Sequence, residues 1–338
     1  MEILEFTRQT FENAIESAGY PKFRARQIIR WIYHRDVYSF EEMTDLGKDD
    51  RVAFQKLFSI TPISEPAIHS SDDGTKKLTF TLEDGAVIES VIIPEDKRNT
   101  LCISTQAGCP LKCSFCRTGT LGFKRNLSVR EIVGQVIRAD NILEKTGEHL
   151  NNIVYMGMGE PLLNFENVVD SILILMDDLM LNFSNRRITV STAGIADRIT
   201  ELGEKTAVNL AISLHAVNDE KRSKIMDINK KYPISALINA ARYYPAHQRK
   251  KVMLEYIMLK GFNDTAEDAK ELAKIANQID AKVNLIAFNT FPGAIFEPTP
   301  MKEILRFQEI LISKNVTALL RKSRGGDELA ACGQLGHV

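Results

Sequence analysis

Cysteine and long apolar segments are both scarce in this sequence. Five cysteines occur among 338 residues, and no stretch approaches the roughly 18 consecutive apolar residues that a membrane-spanning helix requires. Residues Met1 to Arg8 include acidic side chains and no apolar segment typical of a signal peptide. These absences argue against secretion, membrane insertion and a disulfide framework. We therefore expect a cytoplasmic protein with reduced thiols and no membrane partner.

Net charge is also close to zero, because 43 basic residues offset 44 acidic ones. The chain as a whole has no charge excess that predicts a nucleic-acid partner. Two local runs differ: residues 22–35 contain five Lys and Arg and no acid, and residues 242–251 contain four and no acid. Each run fits either a solvated helix face or a phosphate-binding surface.

Residues 1–98 are predicted to form an accessory domain that begins with helices and ends in a small antiparallel sheet. Apolar residues recur at spacings of three and four between Glu5 and Phe58, which indicates helices. Asp-Gly pairs then separate short alternating segments, which is typical of β-hairpins. The expected strands are Ala67–Ser70, Lys77–Leu82 and Ala86–Ile93, followed by a polar linker at residues 94–98.

From Thr100 onward, strand-like and helix-like segments alternate. Repeated βα units predict a parallel sheet, in either an open doubly wound form or a whole or partial barrel. In both forms, functional loops follow the carboxyl ends of the strands. The predicted strands are Leu101–Ser104, Asn152–Met156, Arg187–Thr192, Asn209–Leu214, Lys251–Leu259, Lys282–Phe288 and Val316–Arg321. The polar motifs that follow them are therefore expected on one rim.

The most informative motif is a cysteine cluster, Cys109, Cys113 and Cys116, spaced Cys-x3-Cys-x2-Cys. A structural zinc site usually takes four ligands in two separated pairs, and here no second pair and no nearby histidine occurs. Three thiolates on a loop after a strand instead fit a [4Fe–4S] cluster with one iron open to a further ligand. Cys102 and Cys332 stand apart from this cluster.

Several motifs together resemble the RlmN/Cfr family of radical S-adenosylmethionine (SAM) RNA methyltransferases over nearly the whole chain. They are the cysteine cluster, Gln106-Ala-Gly-Cys109, Gly122-Phe-Lys-Arg-Asn-Leu127, Met156-Gly-Met-Gly-Glu-Pro-Leu-Leu163, Val190-Ser-Thr192, Ser213-Leu-His-Ala216 and Ala330-Ala-Cys-Gly-Gln-Leu335. The resemblance implies an α/β fold with a partial (β/α), TIM-like barrel at residues 99–322, preceded by an RNA-binding accessory domain. It also implies a mobile C-terminal segment, residues 323–338, and two cofactors, a [4Fe–4S] cluster and SAM.

The resemblance further implies roles for individual residues. Cys332 matches the family's methyl-carrying cysteine, Cys102 the thiol that resolves a covalent RNA-enzyme intermediate, and Glu89 a candidate proton acceptor. Alternatively, Cys102 is simply a buried strand residue and Glu89 faces water on the open side of its strand. The positions that match SAM contacts in the family are Gly159, Glu160, Ser191, Ser213, Leu214, His215 and Asn289.

The implied reaction is methylation of carbon 2 of adenosine in 23S rRNA and in tRNA beside the anticodon. Pro161 favours this reaction over the carbon-8 methylation of Cfr-type enzymes, and a non-catalytic, zinc-dependent RNA-binding protein is the second alternative. The enzyme is expected to be a monomer and to receive electrons from a flavodoxin or ferredoxin. The residues expected to bind RNA phosphates are Arg24, Arg26, Arg30, Lys250 and Lys251.

Overall fold

Ten strands form one continuous sheet in this computed structural model, which describes residues 1–96, 98–245 and 251–336. The strands in chain order are β1 Ala67–Ser70, β2 Lys76–Thr81, β3 Val87–Glu95, β4 Arg98–Cys102, β5 Gln106–Gly108, β6 Phe123–Asn126, β7 Leu150–Tyr155, β8 Ile188–Thr192, β9 Asn209–Ser213, β10 Met253–Met258, β11 Lys282–Ala287 and β12 Ala318–Arg321. Strands β5 and β6 form a separate hairpin beside the cysteine cluster.

The large sheet has the order β1-β2-β3-β4-β7-β8-β9-β10-β11-β12. Strands β1 to β4 pair antiparallel, whereas β4 and all strands after it in that order pair parallel. Within the described residues β12 pairs only with β11, so the sheet does not close on itself. The predicted partial barrel is confirmed, and the predicted strands differ from the observed ones only at their ends.

The helices lie between these strands and before them. They are α1 Arg8–Ser17, α2 Phe23–Arg35, α3 Lys48–Leu57, α4 Arg117–Thr120, α5 Val129–Glu144, α6 Phe165–Met176, α7 Ala196–Thr206, α8 Asp219–Ile225, α9 Ile234–Arg242, α10 Ala266–Gln278 and α11 Met301–Ser313. Helices α1 to α3 confirm the helical start of the chain. No helix in the described ranges is long and apolar enough to span a membrane.

The expected polar linker at residues 94–98 is wrong. Pro94 and Glu95 are the last residues of β3, Arg98 begins β4, and Glu95 pairs antiparallel with Arg98. The antiparallel strands of the accessory region therefore continue directly into the parallel sheet. One sheet runs from the accessory region into the barrel, so it shows no break at residue 98. The domain boundary at that residue stays a prediction.

A second apolar core joins helices α1 to α3 to the outside of the barrel. Phe11, Ile28 and Phe54 from these helices are buried together with Val133 of α5 and Ile174 of α6. Burying large apolar side chains on both sides stabilises this contact by the hydrophobic effect. The helical start of the chain is therefore packed against the barrel helices.

Arg222 of α8 connects the carboxyl ends of two neighbouring parallel strands. Its fully buried guanidinium donates hydrogen bonds to the carbonyl oxygens of Ala193 (2.6 Å), Ser213 (3.0 Å) and Leu214 (3.0 Å) and to Oδ1 of Asn229 (3.0 Å). Burial lowers the pKa of Arg222 to about 10, which still leaves it charged at neutral pH. The loops after β8 and β9 are held in place by this one cation.

We expect Arg222→Met to lower the free energy of unfolding by about 3 kcal/mol or more, because several buried oxygens lose their donor. The shift is measured as a lower urea midpoint by circular dichroism. Arg306→Met, at an exposed position of α11, is the control and is expected to change stability by no more than about 0.5 kcal/mol. An unchanged midpoint for Arg222→Met would contradict the assigned role.

Candidate functional site

The carboxyl ends of the parallel strands surround a pocket whose space, together with the part open to solvent, is about 840 Å³. The structure brings together here most of the residues that the sequence motifs singled out. The predicted residues that line this pocket are Cys109, Cys113, Cys116, Gly157, Gly159, Glu160, Ser191, Ser213, His215 and Cys332. The side chains of Leu214, Asn289, Cys102 and Glu89 lie outside its lining.

The cysteine cluster lies on the loop between β5 and α4. Among the described residues, the sulfur atoms of these three cysteines do not all lie within 4.8 Å of one another. A single tetrahedral zinc ion with Zn–S bonds of about 2.3 Å would hold sulfurs about 3.8 Å apart. The wider spacing fits a multinuclear iron–sulfur cluster, whose thiolates bind different iron atoms.

Burial of the cluster thiols supports the same conclusion. It raises the pKa of Cys109 to about 12 and that of Cys113 well above its usual value. A positively charged metal centre offsets this penalty, because coordination keeps the thiol deprotonated. The residues present therefore fit an iron–sulfur cluster at this loop.

Gly157 and Gly159 allow the loop after β7 to pass close to the loop after β4. A Cβ atom on Gly157 would lie 2.7 Å from the carbonyl carbon of Ile103, and one on Gly159 would lie 2.5 Å from Cβ of Gln106. Gly159 also has a φ of +102°, which side-chain-bearing residues rarely adopt. Both positions therefore require glycine for the pocket wall to keep its shape.

Glu160 connects the loops after β7 and β8. Its carboxylate accepts hydrogen bonds from the backbone N–H groups of Leu162 (3.0 Å) and Ala193 (2.6 Å) and from Oγ1 of Thr192 (2.8 Å). Burial raises the pKa of Glu160 to about 7, and these three bonds oppose that rise. The side chain is thus positioned on the pocket wall before any ligand binds.

Glu255 of β10 is a pocket residue that the sequence motifs did not identify. Its Oε2 accepts hydrogen bonds from the hydroxyls of Ser191 (2.7 Å) and Ser213 (3.4 Å). The only available signal was a single acid inside the apolar run Met253-Leu-Glu-Tyr-Ile-Met258. Glu255 therefore links the ends of three adjacent strands, β8, β9 and β10.

His215 is held as a neutral acceptor. Its backbone has a φ of 58°, and Nδ1 accepts a hydrogen bond from the backbone N–H of Ile257 at 3.1 Å. Burial, followed by the charge of Arg222, lowers the pKa of His215 to about 3. The ring packs edge-on against Phe115 of the cysteine loop, with centroids 4.8 Å apart. Since Nδ1 accepts, the proton is on Nε2.

Of the two outlying cysteines, Cys332 lines the pocket and Cys102 lies within range of its charge. Cys102 ends β4 and is buried, and burial followed by repulsion from Cys332 raises its pKa to about 12. Arg321, at the end of β12, donates to Sγ of Cys332 at 3.6 Å and is the second residue that the motifs missed. Its position at the end of the last predicted strand was the only sequence signal.

The C-terminal segment is docked across the carboxyl ends of the strands. Nδ2 of Asn289 donates to the carbonyl oxygen of Cys332 (3.1 Å), so this predicted SAM contact here holds the segment. Glu89 is 2% exposed, and its Oε2 accepts a hydrogen bond from the N–H of Gly336 (2.7 Å). The alternative that Glu89 faces water is therefore wrong, because the segment covers it.

The side chain of Leu214 is buried away from the pocket, and its carbonyl oxygen already accepts from Arg222. It can therefore contact a ligand in this pocket only through its backbone N–H, which now donates to the carbonyl of Glu255 at 3.1 Å.

Most of the predicted RNA-binding cations already have carboxylate partners. Arg24 pairs with Asp50 (2.8 Å), Arg26 with Glu12 (2.8 Å), and Lys251 forms a short ion pair with Asp280. Arg30 of α2 is exposed. Lys250 lies outside the described residues.

Comparison with known proteins matches both parts of the chain. Residues 103–275 match the Radical SAM superfamily, and residues 1–60 match the ribosomal RNA large subunit methyltransferase N-terminal domain. A crystal structure of a radical SAM methyltransferase from Sphaerobacter thermophilus is 40% identical and superposes with a TM-score of 0.92, covering 99% of this chain and 98% of that one.

Curated relatives named "Dual-specificity RNA methyltransferase RlmN" cover almost the whole chain. The protein from Desulfotalea psychrophila is 47% identical over 95% of this chain and 90% of its own length. The one from Geotalea uraniireducens is 45% identical over 99% and 96%, respectively. These relatives favour the RlmN-type prediction over the Cfr-type and zinc-protein alternatives. The chain belongs to the RlmN family of radical SAM RNA methyltransferases.

Proposed function

We propose that this enzyme methylates carbon 2 of adenosine in 23S rRNA and in tRNA beside the anticodon. The observation that carries the proposal is that Cys332 lines the pocket that contains the cysteine cluster and lies close enough to the buried Cys102 for their charges to interact. A radical SAM site alone needs only the three cluster cysteines. Two further thiols at the same place support a reaction in which the protein itself carries the methyl group.

Cofactor binding is assigned to pocket residues and to Leu214 and Asn289 beside the pocket. Cys109, Cys113 and Cys116 would bind the cluster. The proposed SAM contacts are Gly159, Glu160, Ser191, Ser213, Leu214, His215 and Asn289. When bound, the cluster and SAM supply a methyl group and a 5′-deoxyadenosyl radical.

The two outlying cysteines then perform the steps that the protein contributes. Carbon 2 of adenine lies between two ring nitrogens and is not a nucleophile, whereas a thiolate is a good one. Cys332 therefore accepts the methyl group and carries its carbon to the base. One hydrogen atom of that methyl group would pass to the 5′-deoxyadenosyl radical, and the remaining methylene carbon bonds to carbon 2. Cys102 takes the proton from carbon 2 and then attacks the sulfur of Cys332, which breaks the bond between that sulfur and the methylene carbon. This carbon gains a proton as the methylated RNA leaves, the unpaired electron would return to the cluster, and the disulfide that forms must be reduced. Glu89 is an alternative acceptor for that proton.

The accessory domain, residues 1–98, is proposed to bind folded RNA while the target base enters the pocket. The barrel, residues 99–322, holds the cofactors, and residues 323–338 carry Cys332. We further propose that the enzyme acts as a monomer in the cytoplasm, where rRNA and tRNA are found, and that a flavodoxin or ferredoxin reduces it.

We expect mass spectrometry of the C-terminal peptide to find one added methyl group on Cys332 after incubation of the holoenzyme with SAM.

Cys102→Ala is expected to accumulate a covalent RNA-enzyme adduct, because no thiol remains to attack Cys332. The adduct is detected as an RNA-shifted band on a denaturing gel. Cys102→Ala with Cys332→Ala is the control and should form none. An adduct in that double variant would contradict the role of Cys332.

Arg30→Gln is expected to weaken RNA binding and to lower the slope of log affinity against log salt concentration by about one, the contribution of one phosphate contact. The reason is that the charge of Arg30 is exposed. Arg26→Gln is the matched control on the same helix. Its charge is already shared with Glu12, so its effect should be smaller. Filter binding of tRNA at several salt concentrations measures both. Equal effects of the two variants would contradict this ranking.

Gly159→Ala is expected to abolish SAM binding at concentrations that saturate the wild type, because its Cβ would collide with Gln106 and distort the pocket wall. Equilibrium dialysis of the cluster-loaded protein measures the loss. Gly47→Ala is the control, since a Cβ there comes no closer than 3.6 Å to another residue. Unchanged SAM affinity of Gly159→Ala would contradict the assignment of this wall to SAM.

A further inference from the structure

Arg321 lies against the sulfur of Cys332 and near the carboxylate of Glu255. Its Nη1 is 3.6 Å from Sγ of Cys332, 3.6 Å from Sδ of Met156 and 3.9 Å from Oε1 of Glu255. The pKa of Arg321 is raised, with the charge of Cys332 as the largest cause and that of Glu255 as a smaller one. The guanidinium therefore contacts Sγ of Cys332 and Sδ of Met156 at equal distances, while Oε1 of Glu255 lies just beyond hydrogen-bond distance.

That carboxylate oxygen has no hydrogen-bond partner of its own. Glu255 is 4% exposed, and both serine hydroxyls bind its Oε2, so Oε1 is buried and unsatisfied within the described residues. An unpaired buried carboxylate oxygen is costly. A small movement of Arg321 toward it would supply the missing donor.

Methylation of Cys332 changes the balance between these partners. The thiolate electron pair forms the new S–CH3 bond, and the bonding pair of the methyl donor stays on the donor's sulfonium sulfur. Burial raises the pKa of Cys332 and the charge of Arg321 opposes that rise, so the thiolate that attacks the methyl donor forms against this guanidinium. Methylation converts that thiolate into a neutral thioether. The attraction between the guanidinium of Arg321 and the charge of the thiolate is thereby lost, whereas the attraction between Arg321 and the carboxylate of Glu255 is unchanged.

We propose that Arg321 is a positioning residue that responds to the methylation state of Cys332. It holds the thiolate at the pocket, and it turns to Glu255 when the sulfur becomes methylated, which frees the segment that carries the methyl group. This inference rests on the proposed role of Cys332 as the methyl carrier. A response of this kind explains how the sulfur of Cys332 occupies two locations one after the other, first at the methyl donor and then at the base.

Backbone hydrogen bonds beside Cys332 report on this release. The N–H of Ala331 donates to Oε1 of Gln334 (3.1 Å), that of Gln334 to the carbonyl of Ala331 (3.0 Å), and that of Gly336 to Oε2 of Glu89 (2.7 Å). The first two bonds lie within the segment, where Ala331 and Gln334 are buried, and the third joins the segment to β3. All three amides gain access to solvent when the segment leaves its docked position. Their exchange rates therefore measure how firmly the segment is docked.

The test is hydrogen exchange of these three amides in the holoenzyme, with Cys332 unmethylated or methylated by SAM without reductant and then desalted. Peptide mass verifies each state. We expect methylation to speed exchange about tenfold or more in the wild type. In Arg321→Met, exchange should be fast in both states, so the difference disappears, and Arg321→Lys should restore part of it. Glu255→Gln should reduce the difference, because the second partner is lost.

Cys332→Ala stands in for the neutral state in any variant that methylates slowly, and Arg306→Met is the control that should keep the wild-type difference. If the wild-type peptide gains no methyl group, the proposed role of Cys332 fails. If the methyl group is present and exchange is unchanged, the role of Arg321 is overturned. A purely steric effect of the methyl group would persist in Arg321→Met and would also overturn it.

Discussion

Burial of thiols is the physical constraint on which this site depends. A cysteine removed from water resists ionisation, and the pKa values of Cys102 and Cys109 both rise to about 12. Yet a thiolate is the form that binds metal and attacks carbon. A metal centre would compensate the three cluster cysteines. At Cys332, burial raises the pKa of the thiol and the guanidinium of Arg321, which lies against the sulfur, opposes that rise.

Buried charges also hold the pocket walls together. Arg222 donates to carbonyl oxygens after β8 and β9, and Glu255 accepts from hydroxyls on the same two strands. Paired buried groups of this kind are positioned strictly, because leaving either partner unsatisfied is costly. The cofactor pocket is thus shaped by its own strand ends rather than by the ligand.

The accessory region contributes to the site as well as to the proposed RNA surface. The side chain of Asp327 accepts from Oγ of Ser71 (2.5 Å), and Nζ of Lys77 donates to the carbonyl oxygen of Glu328 (2.5 Å). The turn after β1 and strand β2 therefore hold the start of the segment that carries Cys332, and Glu89 of β3 bonds to Gly336 near its end. Because these strands continue the barrel sheet, the docking surface is fixed relative to the cofactor pocket.

The sequence by itself determined the alternation of strands and helices along the chain, the cysteine spacing and the placement of the motifs on one rim. These features follow from local periodicity and from the parallel βα repeat. It could not identify Glu255, Arg321 or Arg222 as site residues, nor show that Glu89 is covered by the C-terminal segment. Those facts depend on side chains from distant strands meeting, such as Arg321 with Glu255 and Gly336 with Glu89. Only the tertiary structure decided them, since contact across a sheet depends on strand order and register rather than on neighbours along the chain.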